Sequence, residues 1–86
     1  MNKKEVLSSL LAYGALSSHL SVGDLLEHPT LRNVKYLTLG KRLQRLHRQG
    51  LLNRQGKGVK GNPYKYKLTI RGIRRLEYFE NRDKGL

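Results

Sequence analysis

Few residues in this chain are arranged for bond-making chemistry. His19, His28 and His47 are scattered without the spacing of metal ligands. Asp24 and Glu27 fall on one short predicted helix, the first as its cap and the second as a surface charge, so they form no acid–base pair. The sequence shows no Ser/His/Asp arrangement and no phosphate-loop pattern. It has no cysteine, which excludes thiol catalysis, disulfides and thiolate metal sites. The sequence therefore predicts no enzyme, no metal, no cofactor and no small-molecule ligand. What it carries is cationic chemistry. Lys35, Lys41, Arg42, Arg45 and Arg48, with Thr38, recur within one predicted helix, and Lys57 and Lys60 sit among three glycines. Ammonium and guanidinium groups neutralise phosphates, and the arginine fork matches the edge of guanine in a major groove. His47, beside Arg48, suits phosphate or water better than a metal.

The distribution of charge points the same way. The 86 residues carry 18 Lys plus Arg against 6 Asp plus Glu, a net charge of +12. Between Glu27 and Glu77 there is no acidic residue, and fourteen Lys or Arg fall in that interval. A surface of structural ion pairs would mix the signs. Like charges without acidic sequence neighbours destabilise the compact state unless an anionic partner supplies the counter-charge. Nucleic acid and an anionic membrane surface are the two candidates. No apolar run approaches the ~20 residues of a spanning helix, and residues 1–5 lack the apolar region of a signal peptide. The expectation is a cytoplasmic, nucleoid-associated protein forming one domain over 1–86, with a small core.

The cationic residues need elements to position them. Tyr36, Leu39, Leu43 and Leu46 repeat at helical spacing, so the periodicity predicts a helix over 34–49 with its apolar stripe inward and its cations outward. Gly50 ends it. Asn33 and Thr38 compete as its N-cap. Gly40 lies inside, at a cost of about 1 kcal/mol against alanine; close approach of a neighbouring helix and simple tolerance both remain open. Upstream, Asn2 and Glu5 have capping-box spacing for a helix over 3–13, whose apolar face is Val6, Leu7, Leu10 and Leu11. A short strand is expected at 18–20. Ser21 and Asp24 form a second capping pair for a helix over 22–28, stopped by Pro29. Downstream, 51–55 and 64–68 read as strands, the second with Tyr64, Tyr66 and Leu68 on one face and Lys65 and Lys67 on the other. Aromatics there fill a core or stack bases, and the core is the commoner use. The connection, 56–63, is rich in glycine and lysine and is expected to be disordered until nucleic acid orders it. Thr69 caps a last helix over 70–82. The fold class is α+β, mainly α: a three-helix core, a β-hairpin and a C-terminal helix.

Two helices joined by a turn, then a hairpin with a basic loop, describe a helix-turn-helix with a wing. The chain resembles the winged helix-turn-helix superfamily of transcription regulators. Residues 20–25, Leu-Ser-Val-Gly-Asp-Leu, are similar to the opening of helix 2 in ArsR-type repressors. Residues 38–46, Thr-Leu-Gly-Lys-Arg-Leu-Gln-Arg-Leu, followed by Gly50, Leu51 and Leu52, resemble a recognition helix and first wing strand. Residues 61–72 look like the second wing strand and helix start of PadR- and MarR-type proteins. ArsR-type metal sensors carry cysteines where this chain has Ser21 and Gly23, so that metal site is absent. MarR-type wings carry an acid near the tip, and this wing has none. The stretch 29–37 is longer than the bacterial pattern.

The resemblance implies a double-stranded DNA-binding transcription regulator. Helix 34–49 would enter the major groove and wing 56–63 would lie on the backbone or minor groove, through Lys35, Thr38, Lys41, Arg42, Arg45, Arg48, Lys57 and Lys60. The N-terminal half of such a helix meets base edges, which ranks Thr38, Lys41 and Arg42 ahead of Arg48. The alternatives are an RNA-binding or ribonucleoprotein component, and a protein-interaction module of a transcription or replication assembly. The last helix has more apolar area than one core stripe needs, so Ile73, Leu76, Tyr78 and Phe79 are expected to form a homodimer interface. No membrane partner is expected.

Overall fold

The computed structural model describes residues 2–84. In chain order its elements are α1 (Lys3–Ala12), β1 (Leu20–Ser21), α2 (Val22–Leu26), α3 (Tyr36–Arg48), β2 (Leu52–Gln55), β3 (Lys65–Leu68) and α4 (Ile70–Lys84). Each expected element is present, and the differences lie at the ends. Helix α1 starts where Asn2 caps it, its side chain accepting the Glu5 amide at 2.9 Å. Helix α2 begins at a full capping box. The Asp24 amide donates to Ser21 Oγ at 3.1 Å and the Ser21 amide to the Asp24 carboxylate at 3.0 Å. That backbone donor holds the Asp24 carboxyl below the usual carboxylate range. Helix α2 stops at Leu26 rather than His28, because Glu27 and His28 bond to the carbonyls three residues back, tightening the last turn.

Helix α3 starts at Tyr36, two residues later than expected. Its N-cap is Lys35, in extended conformation and with no side-chain cap bond, so neither Asn33 nor Thr38 caps it. The preceding residues are committed elsewhere. The Leu31 amide bonds to His28 and the Val34 amide to Leu31. Leu31 plugs the core at 2 % exposure. Tyr13, at the end of α1, stacks on His28 with ring centroids 3.7 Å apart and bonds to Thr30 through its hydroxyl. The connection is therefore a built segment, longer than the usual turn of about 3–4 residues between two such helices.

The far end of α3 is closed by a Schellman motif. Gly50, at φ +78°, donates to the His47 carbonyl, and the Leu51 amide donates to the Leu46 carbonyl. His47 bonds through Nδ1 to the Leu52 carbonyl at 3.0 Å. The chain then enters an antiparallel sheet of order β1–β3–β2, with Leu20 opposite Tyr66 and Leu52 opposite Leu68. This register puts Tyr66 and Leu68, both buried, on the face covered by the helices. Thr69 caps α4 as expected, accepting the Gly72 amide at 3.0 Å while its hydroxyl donates to the Gly50 carbonyl at 2.8 Å.

Leu39, Leu43 and Leu46 are fully buried, and Leu7, Leu10, Leu25 and Leu51 join them in one core. Each such leucine contributes about 1.5–3 kcal/mol by leaving water. Two expectations fail here. Tyr36 does not extend the buried stripe of α3; it is 56 % exposed, at the first position of the helix, where it lines a cleft open to solvent. Leu76 does not face a second subunit; it is buried, because α4 packs on α1 and β3. Ile73 and Phe79 pack partly against the same core, leaving Tyr78 and Ile70 as the exposed apolar side chains of α4.

Glycines 40 and 72 behave oppositely. A Cβ on Gly40 would meet the Val22 side chain at 3.8 Å, an ordinary contact. A Cβ on Gly72 would lie 2.2 Å from the Leu51 carbonyl oxygen, so the start of α4 would have to move off the sheet. Gly40→Ala should therefore stabilise the fold, by up to about 1 kcal/mol. Gly72→Ala should destabilise it by about 1–3 kcal/mol. Urea unfolding followed by circular dichroism measures both.

Candidate nucleic-acid interface

The exposed side of α3 follows from its buried side. With Leu39, Leu43 and Leu46 inward, positions 37, 41, 44 and 48 form the stripe directly opposite, and 38 and 45 lie beside it. Thr38, Lys41, Arg45 and Arg48 are all exposed there, as is Lys35 just before the helix. Arg42 is half-buried at the margin of the stripe and engaged with other groups. No acidic side chain belongs to this helix, and its last turn holds Arg45, His47 and Arg48, where cations also favour the negative end of the helix dipole.

The wing is ordered by its own hydrogen bonds, contrary to the expected disordered loop. The amides of Lys57, Gly58 and Val59 converge on the Asn62 carbonyl at 3.2, 3.1 and 3.3 Å, and the Asn62 amide returns to Val59 at 2.9 Å. This closure needs left-handed backbone, supplied by Gly58 at φ +74° and Gly61 at φ +85°. The tip folds onto Tyr64, whose ring also lies 4.0 Å beneath the Arg54 guanidinium. Tyr64 and Tyr66 thus serve the wing and the core. Tyr66 is buried, which pushes its phenol up, and the Arg54 guanidinium on the paired strand opposes that shift.

Helix and wing face each other. Between the first half of α3 and the wing tip runs a cleft of about 520 Å³, with Tyr36, Leu37 and Lys41 on the helix side and Val59, Lys60 and Tyr64 on the wing side. Lys41 and Lys60, predicted on separate elements, therefore line one cleft. Lys57 is exposed on the same wing. Three residues of this surface escaped the sequence reading. Arg54 is paired opposite Tyr66, which only the strand register discloses. Leu37 and Val59 are exposed and apolar; for Leu37, the spacing to Lys41, Gln44 and Arg48 was the available signal. Among the described residues no cluster of His, Asp and Glu could hold a metal ion, and no helix is long and apolar enough to cross a membrane.

Comparison with known proteins gives no matching family model and no matching curated protein. Solved structures do match. A mutant of MepR from a multidrug-resistant S. aureus clinical isolate superposes with a TM-score of 0.74 over 99 % of this chain, at 22 % identity. A MarR family protein from Bacillus stearothermophilus gives 0.68 over 96 % at 24 % identity. The S. aureus MepR–DNA complex gives 0.68 over 94 % at 23 % identity. The fold is a winged helix-turn-helix. In it α2 and α3 form the helix-turn-helix, and β2, β3 and their connection form the wing. The chain spans 58 %, 53 % and 62 % of the length of those three proteins.

A Cβ on Gly58 would fall 2.4 Å from the Tyr64 ring, at a φ that alanine adopts only with strain. Gly58→Ala should therefore open the wing tip while the core stays folded. Faster amide exchange at residues 57–62, with unchanged protection in α3, is the expected result.

Proposed function

We propose that this chain, as a single domain over 1–86, binds double-stranded DNA and regulates transcription. It presents α3 to the major groove and the basic wing to the backbone or minor groove. The observation that carries the proposal is the joint cationic face of α3 and the wing, drawn from an interval of fourteen Lys or Arg with no acid between Glu27 and Glu77. The likeness of fold to a protein solved with DNA supports it. Lys35, Thr38, Lys41, Arg42 and Arg45 would meet base edges or groove phosphates, Arg48 the backbone, and Lys57 and Lys60 the groove walls. The role is one of binding rather than catalysis, in the cytoplasm on the nucleoid. A gel-shift comparison of duplex DNA, duplex RNA and single strands tests the proposal. Preference for duplex RNA would move the protein to ribonucleoproteins, and no binding to any nucleic acid would leave a protein-interaction module.

Neutralising about eight phosphates should make log K fall with log salt at a slope of about −7. Changing Lys57 and Lys60 to alanine should lower that slope by up to about two and weaken preferred and scrambled duplexes alike. Arg45→Ala, in contrast, should cost about 1–3 kcal/mol on the preferred duplex and relax choice at one base pair. A slope shallower than about −2 would exclude the charged face as a nucleic-acid surface.

The homodimer belongs to the same proposal. With Leu76 buried and Ile73 packed on the core, the apolar surface available on α4 is Tyr78, in edge contact with Phe79 at 5.7 Å between centroids, together with Ile70. Two-fold pairing there would match half-sites one DNA turn apart. Sedimentation at micromolar concentration should give a dimer that Tyr78→Glu converts to monomer; a wild-type monomer with and without DNA would remove this claim.

A further inference from the structure

Leu37 stands out on the cationic face. It is 73 % exposed, more than any other large apolar side chain among the described residues. It heads the stripe opposite the core, one turn before Lys41, with Gln44 and Arg48 following at helical spacing. Placed there it contributes almost nothing to the fold, since burial is what makes a leucine stabilising. Its neighbours in the cleft extend the apolar surface: Tyr36 is 56 % and Val59 57 % exposed, while Gly40 and Gly58 add no side chain to the walls. Lys41 and Lys60 line the same cleft.

A partner that receives this face of α3 must be apolar where it meets Leu37 and anionic around it. The major groove of DNA has that pattern, because the 5-methyl group of thymine projects into it between two phosphate backbones, and apolar side chains contact that methyl in direct readout. The position agrees, since the first residues of the second helix of a helix-turn-helix are the ones that reach base edges. We infer that Leu37 is a specificity-determining residue that contacts a thymine methyl in the major groove, with Tyr36 beside it on the same helix turn. This rests on the duplex binding proposed above and names what one part of that surface reads. Uracil lacks the methyl group, so the contact also favours DNA over RNA of the same sequence.

The test uses the full chain and a duplex selected by it from a random pool. Each thymine of that duplex is replaced in turn by deoxyuridine, which removes the methyl and leaves base pairing intact. Affinities are measured at one salt concentration for the wild type, for Leu37→Ala and for the Lys57→Ala, Lys60→Ala double variant. One or two positions should lose about fourfold with the wild type, the factor corresponding to ~0.8 kcal/mol per buried carbon. That loss should vanish in Leu37→Ala and persist in the double variant, whose binding falls evenly. Wild-type binding with no deoxyuridine-sensitive position, or a sensitivity that survives in Leu37→Ala, overturns the inference while leaving duplex binding in place. So does a Leu37→Ala protein that binds every duplex like the wild type, the result expected if an acidic, apolar peptide fills the cleft. Failure of the wild type to bind any duplex removes both proposals at once, and duplex binding without selection removes this inference alone. Leu37 lies outside the core, so circular dichroism of the variant should match the wild type.

Discussion

The carbonyl of Leu51 is the point on which the arrangement of this molecule depends. The Leu51 amide closes the C-terminus of α3, and its carbonyl accepts the Thr69 amide at 3.2 Å. Gly72 packs so tightly on that oxygen that a Cβ there would force the start of α4 to shift. Thr69 completes the knot by bonding to Gly50 on one side and to the Gly72 amide on the other. The end of one helix, the start of one strand, the end of its partner and the start of the last helix are thus held within a few residues of one another. Backbone groups buried at such a junction must find partners, and here the partners are one another. Because α3 and the wing both emanate from this corner, their relative orientation is inherited from it.

That junction also marks how far the sequence could be read. Leu39, Leu43 and Leu46 disclose a helix because burial acts on every third or fourth residue, and Gly50 discloses its end because a left-handed residue is needed there. Ser21 and Asp24 disclose a start because both halves of the box lie within four residues. The start of α3 carries no such local mark. It is fixed by Leu31 in the core and by Tyr13 stacked on His28, and those contacts join residues far apart in the chain. Leu76 misleads for a related reason: composition shows an apolar residue to be buried but not which neighbour buries it, and α1 takes the place expected of a partner. Gly72 has no signature until Leu51 is seen beside it.

The candidate surface was legible as chemistry and not as geometry. An interval without acids names the cations, and periodicity assigns them to a helix and a hairpin. The convergence of Lys41 and Lys60 on one cleft is a product of tertiary packing. So is the order of the wing, where Arg54 over Tyr64 and three amides on one carbonyl hold a tip that composition alone suggests is loose. A tip already folded has less conformational freedom to lose when it meets a partner, so its lysines act from a fixed position.

The same charges set a tension between holding together and holding on. Mutual repulsion among the cations of α3 and the wing is weakened when dissolved ions shorten the electrostatic range to about 10 Å or less. Added salt should thus raise the melting temperature of the free protein while loosening its grip on any polyanion. A polyanion that binds the folded form more tightly than the unfolded chain raises the melting temperature by mass action instead. Resistance to heat should then pass through a minimum as ionic strength rises in its presence, where neither the bound partner nor the screening ions relieve the repulsion.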